Sequence, residues 1–271
     1  MSLRQVVTVA DVGYVPYLAC FLLSLGERAS PNHPLQVTII HRAIPSGVRG
    51  RLRDLVNPPH HVRWFDPTSE SLQFSQAVAA TTTSPHYLKL LTPFAVQEAT
   101  RGIYIDADTI ITGDLSSLWT LDLRGNVIAA ARDCLPFVCD AIGNHQDLGL
   151  SPKAPYFNSG VLVIDTERWR AERVTQRVLE TCAANAEHLS AQGKWPQHDQ
   201  YGLNVVLGRQ WLPLAREWNQ WAFSYTPEAR IVHYLGDSKP HLPACAPVFG
   251  KLYSDTLART TFGEQTSAAS C

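Results

Sequence analysis

Three short segments constrain the fold of this chain more than any others: QVVTVA at 5–10, LQVTII at 35–40 and HVRWF at 61–65. The first two are nearly continuous apolar runs. They lack the alternation of a strand with one wet face, so they read as strands covered on both sides. Between them lie GYVPYLACFLLSLGER and SGVRGRLRDLV, which read as a buried first helix and a surface helix with basic and apolar faces. Strand–helix alternation of this kind predicts an α/β fold, a doubly wound and mostly parallel sheet flanked by helices.

The pattern continues along the chain. PHYLKLLTPFAVQEA (85–99) reads as a helix that Pro93 must kink or split, and GIYID (102–106) as the next strand. VIAAARD (127–133) and FNSGVLVID (157–165) are further strands. TERWRAERVTQRVLETCAANAEHL (166–189) reads as one long amphipathic helix with Asp165 or Thr166 near its N-cap. HDQYGLNVVL (198–207) opens another helix, and RIVHYLG (230–236) carries a strand ending at His233. A Thr/Ser-rich loop at 79–85 and a small polar tail at 261–271 close the reading.

At 271 residues, with 45% hydrophobic and 17% charged side chains, the chain is globular and long enough for a large core. A formal net charge of −1 argues against a polyanion-binding surface, and so against nucleic acid as a partner. The apolar stretch YVPYLACFLLSLGE is too short to span a bilayer and holds a proline; Met1-Ser2-Leu3-Arg4 runs straight into the first strand. Six cysteines, at 20, 134, 139, 182, 245 and 271, show neither CxxC nor a framework spacing. The expectation is a reduced, cytoplasmic protein without a stable membrane anchor.

The chemistry concentrates at RGIYIDADTIITGD (101–114), where a buried strand ends in Asp106 and Asp108. Two carboxylates so close repel, and burying either unpaired is costly. A divalent cation between them removes both penalties. The run also fits the DxDxT signature of haloacid-dehalogenase-like phosphatases. That likeness implies Asp106 as a phosphorylated nucleophile, Asp108 as acid/base and magnesium as the metal. Such enzymes also need a later acidic pair, and LGDSKPH lacks the second acid.

Six motifs in order, TVADVGY, YIDADT, AAARD, YFNSGVLVID, HDQYGLN and HYLGDSKPH, resemble the family 8 retaining glycosyltransferases, the group holding bacterial lipopolysaccharide α-galactosyltransferases and glycogenin. The resemblance runs from about residue 5 to about residue 241. It implies a single GT-A domain over 1–260, with a Rossmann-like sheet, a nucleotide-binding half near 1–115 and a sugar and acceptor half near 116–260. The activity it implies is transfer of a hexose from a UDP-sugar to an acceptor hydroxyl with retained anomeric configuration. The acceptor is a saccharide or another small molecule. A non-catalytic or self-glycosylating nucleotide-sugar binder is the other reading the same family allows.

Residue by residue, the resemblance implies that Ala10 and Asp11 form the uracil pocket with Tyr14 beside the base. Asp106 and Asp108, flanking Ala107, bind the metal with His233. Mixed oxygen and imidazole ligation suits Mn²⁺ better than Mg²⁺, although Mg²⁺ is possible. Gly236 lets the backbone approach the diphosphate and Lys239 donates to the β-phosphate as it leaves. His241 stands where the family has a tryptophan. Lys89 takes the place of an arginine contacting diphosphate and sugar, and lacks its bidentate fork. Asp133, Asn158, Ser159, Asp199 and Gln200 line the sugar pocket, with Gln200 on the face of the anomeric carbon opposite the leaving group. An amide oxygen is a poor nucleophile, so a front-face substitution is the expected route. In the aromatic segment at 209–230, Trp211 and Phe223 are expected in the core, and Asn219 and Trp221 on the acceptor side. The 79–85 loop is the expected lid.

Overall fold

The computed structural model describes residues 3–68, 85–96, 98–190 and 198–263. Residues 79–84 of the expected lid and the tail beyond 263 lie outside the described residues.

The expected strands form, and β1 (Arg4–Ala10), β2 (Leu35–His41) and β3 (His61–Phe65) pair in parallel, with Val6 opposite Val37 and Val37 opposite Val62. With β4 (Arg101–Ile105), β6 (Ile128–Phe137), β7 (Pro155–Asp165) and β8 (Trp211–Leu214) they make a seven-stranded sheet of order β3-β2-β1-β4-β7-β6-β8. The sheet is mixed: β6 runs antiparallel to β7 and parallel to β8. A second sheet joins β5 (Thr109–Ile111), β10 (Ile231–His233) and β9 (Gln220–Trp221) in the order β5-β10-β9.

By contact the chain divides into two compact units, residues 1–66 with 105–120 and 216–271, and residues 67–104 with 121–215. In the first unit β1 and β2 are buried, and the helix Val15–Arg28 packs on β5. That helix buries Leu18, Ala19, Phe21, Leu22 and Leu25, four of them at the i, i+3, i+4, i+7 spacing that marks one helix face. In the second unit β6 and β7 are buried, and the helix His198–Leu207 packs on β7 and on the helix Val174–Ala184. Gly202 is where those two helices meet. A Cβ there would lie 2.7 Å from both Cys182 Sγ and Val178 Cγ1, so the glycine of HDQYGLN is required by packing.

Two readings need correction. The helix expected over 166–189 is three helices, Thr166–Ala171, Val174–Ala184 and Ala186–Ser190. It breaks first where Arg173 takes a left-handed backbone, φ 53°, which no helix interior accommodates. Asp165 does cap its start, accepting from Arg168 N at 2.9 Å. The segment around Pro93 is split as expected, into a 3-10 turn over Pro85–Leu91 and one α turn, Thr92–Ala95, with Pro93 in the first turn where its missing N–H costs nothing. A helix at Pro247–Ala258, which the sequence reading passed over, packs on the helix Val15–Arg28.

Candidate active site

The first unit gathers Asp106, Asp108 and His233, and the small sheet is the means. β4 delivers the chain to Asp106; Thr109 Oγ1 then donates to Asp106 O at 2.8 Å and turns it into β5. β10 pairs antiparallel with β5, His233 opposite Thr109, and Tyr234 N donates to Asp108 O at 2.9 Å. Residues far apart in sequence are thereby locked in register. One ligand-type atom from each of the three side chains lies within 4.8 Å of the others. His233 Nε2 is 3.3 Å from Asp108 Oδ1 and 3.7 Å from Asp106 Oδ2.

The other ring nitrogen fixes the tautomer. His233 Nδ1 is 2.9 Å from Asn219 Oδ1, an acceptor, so Nδ1 carries a proton and Nε2 is the nitrogen turned toward the carboxylates. Two carboxylates and an imidazole, which ligates through an unprotonated nitrogen, make a donor set that fits a divalent first-row ion. Asn219, placed beside His233 by the β9–β10 pairing, is fully buried, which corrects its expected acceptor-side position. Trp221 is buried as well, while Phe223, expected in the core, is 45% exposed; Trp211 is buried as expected.

Lys239 pairs with Asp108. Burial alone would raise the Asp108 carboxyl, but the charges of His233 and Lys239 outweigh it and hold the group well below the usual carboxylate range. Burial likewise works against the Lys239 ammonium, and Asp108 reverses the balance, so its pKa is raised. The ammonium lies 5.1 Å from the Tyr14 ring centroid and 4.8 Å from that of Tyr17. Asp11 caps the turn that presents Tyr14: its Oδ1 accepts from Gly13 N at 2.9 Å and Tyr14 N at 3.2 Å. Ala10 is buried at the end of β1, and Ala107 is buried between the carboxylates. Gly236 has φ +52°, and a Cβ there would meet nothing within 4 Å. Its backbone conformation, and not a close approach inside this chain, calls for glycine. His241 is exposed.

The second unit holds a separate hydrogen-bonded network. A register shift in β6 between Ala130 and Arg132 precedes Asp133. Asp133 Oδ2 accepts from Asn158 Nδ2 at 2.8 Å and Gln200 Nε2 at 3.1 Å; Oδ1 accepts from Leu135 N at 3.0 Å and from the Cys134 thiol at 3.2 Å. Gln200 Oε1 accepts from Ser159 N at 2.9 Å. Ser159 Oγ donates to Asp199 Oδ2 at 3.0 Å, and Lys89 Nζ reaches that same oxygen at 2.9 Å and Ser159 Oγ at 3.1 Å. Lys89, Asp133, Asn158, Ser159, Asp199 and Gln200 thus form one connected set. Asn204 extends it: its amide bonds Phe157 N, Phe157 O and Gln200 O, each at 2.9 Å. The sequence reading missed Asn204, although it lies on the same helix face as Gln200, four residues on.

A mixed sheet of this order with helices on it is the GT-A architecture, and two solved structures carry the same fold. They are the WbbM bifunctional glycosyltransferase, at TM-score 0.77 and 20% identity over 97% of this chain and 51% of that one, and the galactosyltransferase LgtC in complex with donor and acceptor sugar analogues, at TM-score 0.71 and 19% identity over 95% and 96%. The sequence model of Glycosyl transferase family 8 matches residues 5–243, and the chain belongs to that family. General stress protein A of Bacillus subtilis (strain 168) is 25% identical over 262 residues, 88% of this chain and 87% of that protein. The lipopolysaccharide 1,2-glucosyltransferase of Escherichia coli (strain K12) is 30% identical over 155 residues, 52% of this chain and 44% of that protein. Among the described residues no helix is long and apolar enough to cross a membrane.

Proposed function

We propose that this chain is a retaining hexosyltransferase that takes its sugar from a UDP-hexose in a reaction dependent on a divalent cation, Mn²⁺ for preference. The observation that carries the reading is the convergence of Asp106, Asp108 and His233 at the end of β4, with Nε2 turned inward by Asn219. In open α/β sheets ligands bind beyond the carboxyl ends of the strands, and β1 ends at Ala10 as β4 ends before Asp106. Family membership favours this use of the D-x-D over the phosphatase reading.

The bound cation would neutralise charge on the donor's diphosphate, held by Asp106, Asp108 and His233. Asp11 and the end of β1 receive the uracil, with Tyr14 beside it. Gly236 and Lys239 meet the diphosphate, and Lys239 donates to the β-phosphate as negative charge grows there. The donor sets of Asp133, Asn158, Ser159, Asp199 and Gln200 suit a polyhydroxylated ligand, because carboxylates and amides accept from and donate to hydroxyls. Lys89 neutralises Asp199 within that set. The acceptor hydroxyl attacks the anomeric carbon on the face from which UDP departs. The C–O bond to phosphate breaks, the new glycosidic bond forms, and a phosphate oxygen of the departing UDP takes the hydroxyl proton. Gln200 stabilises positive charge at the ring. Scattered cysteines without a framework spacing support a reducing, cytoplasmic setting.

A thermal-shift comparison tests base, sugar and metal together. UDP with Mn²⁺ should raise the melting temperature, a UDP-hexose should raise it at least as far, and GDP or UDP with chelator should do much less. A ligand at 100 times its Kd stabilises by about 2.7 kcal/mol, well within detection. No response to UDP with Mn²⁺ would overturn the proposal.

A further inference from the structure

Lys239 is held by more than its ion pair with Asp108. Its ammonium lies over two rings, Tyr14 at 5.1 Å and Tyr17 at 4.8 Å, and those rings touch each other at 5.5 Å. Tyr14 is exposed and stands next to the turn capped by Asp11; Tyr17 is half-buried on the first turn of the helix Val15–Arg28. Behind Tyr17 comes Tyr253 of the helix Pro247–Ala258, at 5.4 Å, and behind that Tyr234, at 5.6 Å. Tyr234 is fully buried. Its hydroxyl donates to Phe249 O at 2.8 Å, and its backbone N–H donates to Asp108 O at 2.9 Å. The contacts therefore close a circuit: Asp108, Lys239, Tyr17, Tyr253, Tyr234 and back to Asp108.

A lysine side chain has four flexible carbons and no preferred direction of its own. Fixing its head group requires a partner on more than one side, and a cation over an aromatic face is held by the ring's negative quadrupole. Asp108 holds the ammonium on one side and the tyrosine faces hold it on another. Tyr17 is the member of the pair that is itself braced from behind. We propose that Tyr17 is a positioning residue: its ring, backed by Tyr253, holds the Lys239 ammonium where the donor's diphosphate is met. The inference rests on the nucleotide-diphosphate reading above. It adds a task for the helix Pro247–Ala258, which supplies Tyr253.

Tyr17→Met keeps a long apolar side chain and removes the aromatic face; Tyr17→Phe keeps the face and removes the hydroxyl. Titration calorimetry with UDP and Mn²⁺ should find Tyr17→Met weaker by roughly five-fold and Tyr17→Phe within about two-fold of the parent. In a Lys239→Met background the Tyr17→Met change should cost nothing further, since its effect runs through the lysine. An equal loss in both backgrounds overturns the proposal. A second readout needs no nucleotide. In lysine ¹⁵Nζ spectra of the free protein, the Lys239 signal, assigned by its absence from Lys239→Met, should be shifted upfield by the rings. It should move in Tyr17→Met and stay in Tyr17→Phe, and a signal that does not move in Tyr17→Met overturns the proposal. If the parent protein binds no UDP, the functional reading fails, and the Nζ signal alone decides whether Tyr17 holds the ammonium.

Discussion

Asn219 holds the ring of His233: its Oδ1 lies 2.9 Å from Nδ1, and both side chains are buried. The bond keeps a proton on Nδ1, and so leaves Nε2 free to ligate a cation held between Asp106 and Asp108. Asn219→Leu removes the acceptor and frees the ring to rotate or change tautomer. Mn²⁺ affinity, read from free-ion electron paramagnetic resonance, should fall about 10- to 100-fold, the usual effect of losing the partner behind a ligating histidine. Unchanged affinity would mean that His233 does not ligate through Nε2.

Lys89 and Asp199 form a pair with side chains 12% and 13% exposed, which makes each the other's main compensation for burial. Among the described residues, Lys89→Met leaves the Asp199 carboxylate with the Ser159 hydroxyl at 3.0 Å and no cation. Breaking a buried pair from one side typically costs about 3 kcal/mol or more, whereas replacing both partners by apolar groups is far milder. Urea denaturation should therefore show Lys89→Met strongly destabilised and Lys89→Met/Asp199→Leu substantially recovered. A double variant no more stable than the single one would show that Asp199 is held chiefly by other groups.

The strands and the first helix were legible because burial on both faces leaves a mark in composition: QVVTVA and LQVTII have no wet side to alternate with. The D-x-D was legible for a similar reason, since two acids directly after a buried strand are expensive unless something compensates them. His233 was legible only through its motif, because a lone histidine at a strand end has no local signature. Asn219 was not legible. It sits among aromatics at 211–225, and what makes it a partner of His233 is the pairing of β9 with β10, a long-range fact. The break at Arg173 was hidden for another reason: nothing in AERVTQ announces a left-handed backbone, and apolar spacing continues across it. The helix Pro247–Ala258 did carry a signal, a proline at its first position, that the reading did not use.

His41 predicts how stability depends on pH. It ends β2, is buried, stands edge-on to Trp64 with ring centroids at 5.3 Å, and has Arg49 Nη1 3.4 Å from its Nε2. Burial and then the Arg49 charge lower its pKa, against an opposing pull from Asp66. Protonation is therefore harder in the folded state than in the unfolded chain. Between the lowered value and the ordinary one near 6.5, the unfolded chain binds more protons, so stability rises with pH and is lost as pH falls through that window. His60, lowered by burial and by His61, acts in the same direction. Chemical denaturation from pH 7.5 down to pH 5 should show falling stability, with a shallower slope in His41→Phe. An identical slope in the variant would assign the dependence to other groups.

Cys134 offers a test of the Asp133 network that needs no substrate. The residue is exposed at the surface, yet burial of its thiol, together with the Asp133 carboxylate that the thiol donates to at 3.2 Å, pushes its pKa up to about 11. The thiolate is the reactive form, and at pH 8 a thiol with that pKa holds roughly a hundredth of the thiolate of an ordinary cysteine. Alkylation by iodoacetamide, followed at Cys134 by peptide mass spectrometry, should be slower than for a free thiol by about that factor. Asp133→Asn removes the neighbouring negative charge and should speed the reaction. The same substitution takes from Asn158 and Gln200 the charged acceptor they share. Alkylation at the rate of an unperturbed thiol in the parent protein would show that Asp133 does not hold the Cys134 proton.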